Sequence, residues 1–425
     1  MAQGRQPRKF LITTLEGGGS VGPAITVARK LVEAGHDVRV MSDACNRPEA
    51  ESSGARFVPW TRAPSRTDRS KDSDLHRDWE AADLMDGFGR VIAAIVVGPA
   101  LRYAQDTMEE LAREPADLVI SAELLLGVVA GCEKAGQPVV LLPSNSMVIT
   151  IKAALDHAAA SDAPPANEQE ARMAAIAQAM GAALMQAVPP FNMTREALGL
   201  PPIGQLLDQM AYVRMILAAV SPSFDMAPPG DTPGLTYIGP QLDDPAWAEQ
   251  WQSPWPAGDK RPLVLVGFST TFQDHAGVLQ NVIDALGTLP VRALVTLGPA
   301  IASEELQARD NVALAVSAPH NQVMKQASLV VTHGGYGTLT RALAHRLPLL
   351  VMPQGRDQYG NAERLAAHGA GIALPPGADA ATIAGAVRQL LDEAGFAEAA
   401  ERLGAQVDRE MRESRVVELL EELSA

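Results

Sequence analysis

Short apolar runs alternating with amphipathic helical stretches, a pattern that occurs twice, limit this chain more than any other feature. In the first half KFLITTL, DVRVMS, ARFVPW, ADLVISA and QPVVLLP read as strands rich in Val, Ile and Leu. Stretches with helical spacing, such as ITVARKLVEAG and ALRYAQDTMEELAR, lie between them. Strands that are apolar along nearly their whole length must be covered on both faces, so the pattern predicts a parallel sheet flanked by helices. The alternation breaks across 144–215, an Ala- and Met-rich segment interrupted by Pro164-Pro165, Pro189-Pro190 and Pro201-Pro202, which reads as helices joined by loops. Prolines then crowd residues 221–262, the best candidate for an interdomain linker. Alternation restarts with PLVLVGFS and continues through VRALVTLG, NVALAV, SLVVTH and LPLLVMP, and the chain closes on an acidic amphipathic region. With 425 residues available for two cores, the expected division is 1–220, a linker at 221–262, 263–395, and a terminal helical region 396–425. Ligands of doubly wound sheets bind beyond the carboxyl ends of the strands, so two such domains place a site in the cleft between them.

Composition removes several classes. A net charge of -15 argues against a nucleic-acid surface. The basic cluster from Arg62 to Lys71 is interrupted by Asp68 and Asp72 and reads as a solvated loop. Cys45 and Cys132 are too few for a disulfide framework or a CxxC metal site, and are expected to be buried thiols in a reducing compartment. The amino terminus has a basic start without a long apolar region or small-residue cleavage site. The run IAAIVVGPAL is interrupted by Gly98 and Pro99, short of the roughly 18 apolar residues that a membrane span needs. The expectation is a cytoplasmic protein without stable membrane insertion, as a monomer or homodimer.

Two glycine-rich turns compete for a phosphate. Gly17-Gly18-Gly19-Ser20-Val21-Gly22-Pro23 follows the first strand, yet it lacks GxGxxG spacing, and Asp43 is the sole acidic candidate for a ribose. The stronger signal is SLVVTHGGYGTLTRALAHRLPLLVMPQGRDQYGNAERLAAHGAGIAL, a strand, glycine turn, helix, strand and second polar turn entering a helix. Gly334, Gly335 and Gly337 allow close backbone approach, Thr338 adds a hydroxyl, and the following helix N-terminus favours a diphosphate. His333, at the strand's carboxyl end, is placed to donate to the same phosphates. Asp357 and Gln358, with Asn361 close behind, offer acceptors and donors suited to sugar hydroxyls. Each piece alone has a structural explanation, as a helix cap or a buried strand-end histidine. Both at this spacing favour a ligand site.

The segment resembles the donor-binding signature of the GT-B-fold, UDP-glycosyltransferase-like enzymes, particularly bacterial natural-product glycosyltransferases. The matching residues are His333-Gly334-Gly335-Tyr336-Gly337-Thr338, Ala342-Leu343, Pro348, Pro353, Asp357-Gln358, Asn361-Ala362, Arg364 and Gly369-Ala370-Gly371. Phe268-Ser269-Thr270-Thr271 resembles the strand-end loop that touches the β-phosphate, Ala318-Pro319-His320 the turn that holds the base, and TYIGP the usual join between domains. The resemblance implies an α/β GT-B architecture of two Rossmann-like domains facing a central cleft. The N-terminal domain would bind acceptor, the C-terminal domain nucleotide sugar, and the final helix would cross back onto the N-terminal domain. It also implies an inverting transferase with a UDP- or dTDP-sugar as co-substrate and neither cofactor nor metal. Ser269, Thr270, Ala318, His333, Gly335, Tyr336, Gly337 and Thr338 would hold the nucleotide diphosphate, and Asp357 with Gln358 the sugar.

By the same resemblance the first-strand turn faces the acceptor and carries the base as GHxxP or GDxxP. Here Gly19-Ser20-Val21-Gly22-Pro23 puts Ser20 at the base position, and Ala122 stands where an orienting Asp is usual. A serine hydroxyl needs a base of its own. Glu16, Glu123 and His76 are the candidates, and an acidic acceptor such as a phenol relaxes the demand. Acceptor contacts would come from residues 60–90 and 144–195, with Trp60, Trp79, Met147, Ile149, Met185, Phe191 and Met193 either lining an apolar pocket or packing their own core. The leading expectation is O-glycosylation of a small hydrophobic polyphenol or polyketide. A nucleotide-sugar-binding auxiliary protein and a lipid or sterol glycosyltransferase are the alternatives.

Overall fold

The computed structural model of the chain describes residues 6–17, 19–146, 149, 168–227, 233–243, 251–268, 273–298 and 301–425. One sheet is built from β1 (Lys9–Thr13), β2 (Asp37–Ser42), β3 (Arg56–Pro59), β4 (Leu118–Ser121), β5 (Val139–Leu141), β6 (Ile216–Ala218) and β7 (Leu235–Tyr237), in the order β3-β2-β1-β4-β5-β6-β7. The other contains β8 (Leu263–Gly267), β9 (Arg292–Thr296), β10 (Val312–Ala315), β11 (Leu329–Thr332), β12 (Leu349–Val351) and β13 (Gly371–Ala373), in the order β10-β9-β8-β11-β12-β13. Both sheets are parallel throughout, with Phe10 opposite both Val38 and Leu118, and Val331 opposite both Val266 and Leu350. Phe10, Leu11 and Ile12 of β1 and Val264, Leu265 and Val266 of β8 are fully buried, because helices cover both faces.

This strand order fixes where ligands can sit. In the first sheet the chain winds outward from β1 to β3 and then returns to β4, leaving a crevice between the carboxyl ends of β1 and β4. The second sheet repeats this between β8 and β11. Leu15 to Gly17, Gly19-Ser20 and Ala122-Glu123 therefore emerge at one switch point, and Phe268 and His333 at the other.

Two boundaries differ from expectation. The segment 221–262 is not a plain linker, since β7 lies inside it and pairs with β6, while Phe224 joins Ala218 and Val220 in the core of the second domain. Three paired residues are enough for an edge strand, and the flanking Pro233 and Pro240 fall outside the ladder. The terminal region 396–425 divides into two helices. Ala394–Arg412 packs on the second domain through Ala399, Ala400, Leu403 and Val407, whereas Val416–Leu423 crosses to the first through Val416 and Leu420.

One helical stretch, Leu84–Arg113, is by length and composition apolar enough to span a membrane, which the sequence reading did not anticipate. Its Ile92, Ile95, Val96, Ala100, Tyr103 and Ala104 are buried in the N-terminal domain. A π-turn over Ile92–Val97 precedes Pro99 and is closed by the Gly98 amide donating to the Ala93 carbonyl at 3.0 Å. The residue without an N–H thus falls where the ladder is already shifted, and the helix continues.

Candidate functional site

The donor side is set by two turns that brace each other. His333 ends β11 and Gly335 caps the helix Tyr336–Ala344 with no side chain closing its first turn, so those amides point to the cleft. Gly334 has φ +91, where a Cβ would also meet Val351, and a Cβ on Gly335 would stand 2.6 Å from the His333 ring. Glycine is required at both for backbone and imidazole to share this space. Burial holds His333 well below its ordinary value, to about 3, with His275 and Arg356 adding to the effect, so the ring is neutral. Asn361 donates to the Gly334 carbonyl at 2.9 Å and to Asp357 Oδ2 at 2.8 Å, tying the sugar turn to the phosphate turn. Burial pushes the Asp357 carboxyl up, against the pull of that Asn361 hydrogen bond. Gln358 is 1% exposed, accepting from the amides of Gln354 and Gly355 and donating to Gln273 Oε1 at 3.2 Å. In this state the Gln358 side chain is engaged in shaping the turn.

Other donor-side expectations fare differently. The Tyr336 side chain turns away from the cleft: its hydroxyl accepts from the Ser221 amide at 2.8 Å and donates to Asp225 at 3.3 Å, leaving only its backbone amide for a phosphate. Gly337 and Thr338 lie half-buried in the same first turn. Ala318 is half-buried before Pro319, and the neighbouring His320 ring reaches Thr296 Oγ1 at 3.1 Å. Ser269 and Thr270 lie outside the described residues.

On the opposite wall Ser20, Glu16 and Glu123 differ in their surroundings. The Ser20 hydroxyl donates to the Leu15 carbonyl at 3.2 Å, which closes the turn instead of serving a base. Glu16 is 4% exposed and paired with Arg69 at 2.9 Å, while its amide donates to Asp43 at 2.8 Å. In this structure Glu16 therefore ties the first turn to the 61–80 loop through Arg69. Glu123 differs from both. It follows β4 at 6% exposure, accepts from the Ser144 amide and hydroxyl, and its Oε2 has no partner among the described residues. Burial pushes its carboxyl up to about 7, and the nearby negative charge of Asp357 adds to the rise. Ser144 also borders Gly19, so Glu123 sits beside the turn that carries Ser20.

The segment expected to be a solvated basic loop is instead tied down. Asp106 accepts from the amides of Thr61, Arg62 and Ala63, each at 2.9 Å. Asp43 accepts from the Arg66 amide at 2.8 Å, Arg66 pairs with Asp74, and Arg69 joins Glu16 and Glu49. Charges from three neighbouring elements pair with this loop one by one, a match that a net charge cannot reveal. The loop carries His76 into the cleft. His76 is 6% exposed, paired with Asp74 at 3.2 Å, and held below its ordinary value by burial and by Arg356.

The apolar acceptor candidates do not converge. Phe191 is fully buried in the helical core with Val96, Leu126 and Leu198. Met185 and Met193 are exposed at 54% and 71%, on outward faces of their helices. Trp60 is buried against Tyr103 and donates to the Thr14 carbonyl at 3.2 Å. Trp79 is half-buried in the 3-10 turn Asp78–Glu80, with Lys71 over its ring, and remains at the cleft loop. Ile149 packs against the second domain's core, and Met147 lies outside the described residues. Arg356 and Asp78 were missed: Arg356 stands next to Asp357 in sequence, but nothing in the sequence pairs it with Asp78.

Residues 280–423 match the family described as erythromycin biosynthesis protein CIII-like, C-terminal domain. The chain is 28% identical over 413 residues to 4'-demethylrebeccamycin synthase of Lentzea aerocolonigenes, covering 93% of this chain and 94% of that protein. It superposes on the crystal structure of the glycotransferase of kitacinnamycin with a TM-score of 0.73 at 19% identity, covering 98% and 99% of the two chains. It also matches the glycosyltransferase VinC in complex with dTDP, with a TM-score of 0.67 at 21% identity and 98% coverage of each. With the paired doubly wound sheets, these likenesses give the chain the GT-B fold and make it a glycosyltransferase similar to those of bacterial natural-product biosynthesis.

Proposed function

We propose that the enzyme transfers a hexose or deoxyhexose from a nucleoside diphosphate to a hydroxyl of a small hydrophobic acceptor, with inversion and without a metal. The observation carrying this reading is the placement of Glu123, a buried carboxyl with one open oxygen, within the electrostatic reach of Asp357 across the cleft. Glu123 takes the acceptor proton, and the resulting oxygen attacks the anomeric carbon from the face opposite the phosphate. The bond from that carbon to the β-phosphate oxygen breaks, and the diphosphate leaves with both bonding electrons. The open amides at Gly335 to Thr338 receive the developing charge, with neutral His333 as a hydrogen-bond donor. Asp357 orients the sugar hydroxyls.

VinC carries dTDP, which favours a dTDP-sugar over a UDP-sugar here. A pKa near 7 suits a general base at neutral pH, and answers the absence of histidine at position 20. Purified protein offered dTDP-glucose and UDP-glucose with 4-methylumbelliferone and with decanol tests the reading, the products being resolved by mass and by anomeric coupling constants. A β-linked product with the phenol is expected. Hydrolysis alone, or an α-linked product, would refute the mechanism.

A further inference from the structure

Arg356 sits in the donor turn but spends its side chain on the opposite domain. It adopts φ +57, a left-handed conformation that a non-glycine residue holds only when its surroundings fix it. Its Nε and Nη2 grip both oxygens of Asp78, Nη2 lies 3.2 Å from His76 Nε2, and Nη1 donates to the Gly17 carbonyl at 3.2 Å. Since a guanidinium only donates, His76 Nε2 is an acceptor, and the ring proton sits on Nδ1 toward Asp74 at 3.2 Å. The side chains of Arg356, Asp78 and His76 are 21%, 11% and 5% exposed, so water competes little with these bonds.

These contacts join the residue before Asp357 to the loop over the acceptor side and to the turn before Ser20. We infer that Arg356 is a positioning residue for the acceptor: gripping Asp78, His76 and Gly17, it holds the 74–80 loop against the donor turn, so the acceptor wall is assembled from the donor domain. The inference rests on the glycosyl-transfer reading for its meaning, but not for its test. Closing the cleft and completing the acceptor pocket become one event. An acceptor then binds well only when the two domains are in register, which keeps water from the sugar's anomeric carbon until the acceptor can reach it.

Hydrogen exchange on the full chain without ligand reads the grip directly. Arg356→Ala and Asp78→Asn should each speed exchange across 74–80 at least tenfold, and the double variant should be no faster than either. dTDP affinity by calorimetry should stay within twofold in Asp78→Asn, while 4-methylumbelliferone affinity measured with dTDP present falls about tenfold. Arg356→Lys, which keeps charge without the fork, should restore only part of the protection. Unchanged exchange in both single variants, or additive effects in the double, would overturn the inference. Asp78→Asn is nearly isosteric and carries the test if Arg356→Ala does not fold. Absence of transfer activity with the exchange result intact would refute the glycosyl-transfer reading alone.

Discussion

At the scale of single residues, Glu123 and Ser20 make opposite predictions. Glu123→Gln preserves shape and removes the proton acceptor, so kcat should fall about 100-fold or more, whereas Ser20→Ala removes one hydroxyl-to-carbonyl bond and should change kcat by less than about threefold. The wild-type rate should rise with pH through an inflection near 7 and lose that inflection in Glu123→Gln, because the base must be ionised. Stability moves the other way. A carboxyl whose folded value exceeds its unfolded 4.5 binds its proton more tightly in the folded state. Folding is therefore unpenalised below about 4.5, loses stability as pH rises, and bears the full cost above about 7, roughly 3 kcal/mol. Glu123→Gln should thus be more stable than wild type at pH 8 and indistinguishable from it at pH 4. Thermal melts at the two values decide it, and equal stability at pH 8 would show that the carboxyl is hydrated or paired.

At the scale of elements, the site depends on turns that hold one another. Asn361 connects the Gly334 carbonyl to Asp357, so Asn361→Leu should misplace the sugar turn and strand one buried and one half-buried acceptor. dTDP affinity should drop about tenfold, equivalent to about 1.4 kcal/mol; a change under twofold by calorimetry would mean that the turns hold their places without it. The donor turns were legible in sequence because their glycines and polar residues recur at fixed local spacing, and the chain's own neighbours enforce the geometry. The 61–80 loop was not legible. Arg66, Arg69, Asp74 and Asp78 look like ordinary surface charges until Asp43, Asp106, Glu16 and Arg356 arrive from remote parts of the chain. The acceptor methionines failed for a related reason: helical spacing shows that a helix has an apolar face without showing what that face meets, and Met185 and Met193 meet solvent.

At the scale of the whole molecule, alternating apolar runs predicted both sheets, since parallel strands need burial on both faces and leave that demand in the sequence. The way the two halves are tied together was less visible. The helix Val416–Leu423 covers the first domain with Val416 and Leu420, and its end is fastened by Arg8 to the Ser424 carbonyl at 3.2 Å and by Arg214 to the Leu423 carbonyl at 2.6 Å. The preceding helix Ala394–Arg412 is fixed to the second domain, where Glu410 also accepts from the Ser223 amide at 3.1 Å. The chain therefore passes between the domains through 221–262 and again through residues 413–415, and the latter passage limits how far the domains can separate. Ending the chain after Glu413 would expose the surface under Val416 and Leu420, costing the first domain about 4 kcal/mol from these two side chains. The second domain keeps its own core and the Ala394–Arg412 helix. Calorimetry should then show one transition in the full chain, and two in the shortened one, with the lower belonging to residues 1–220. A single transition at the original temperature would mean that the returning helix is dispensable and that the 221–262 crossing alone couples the domains.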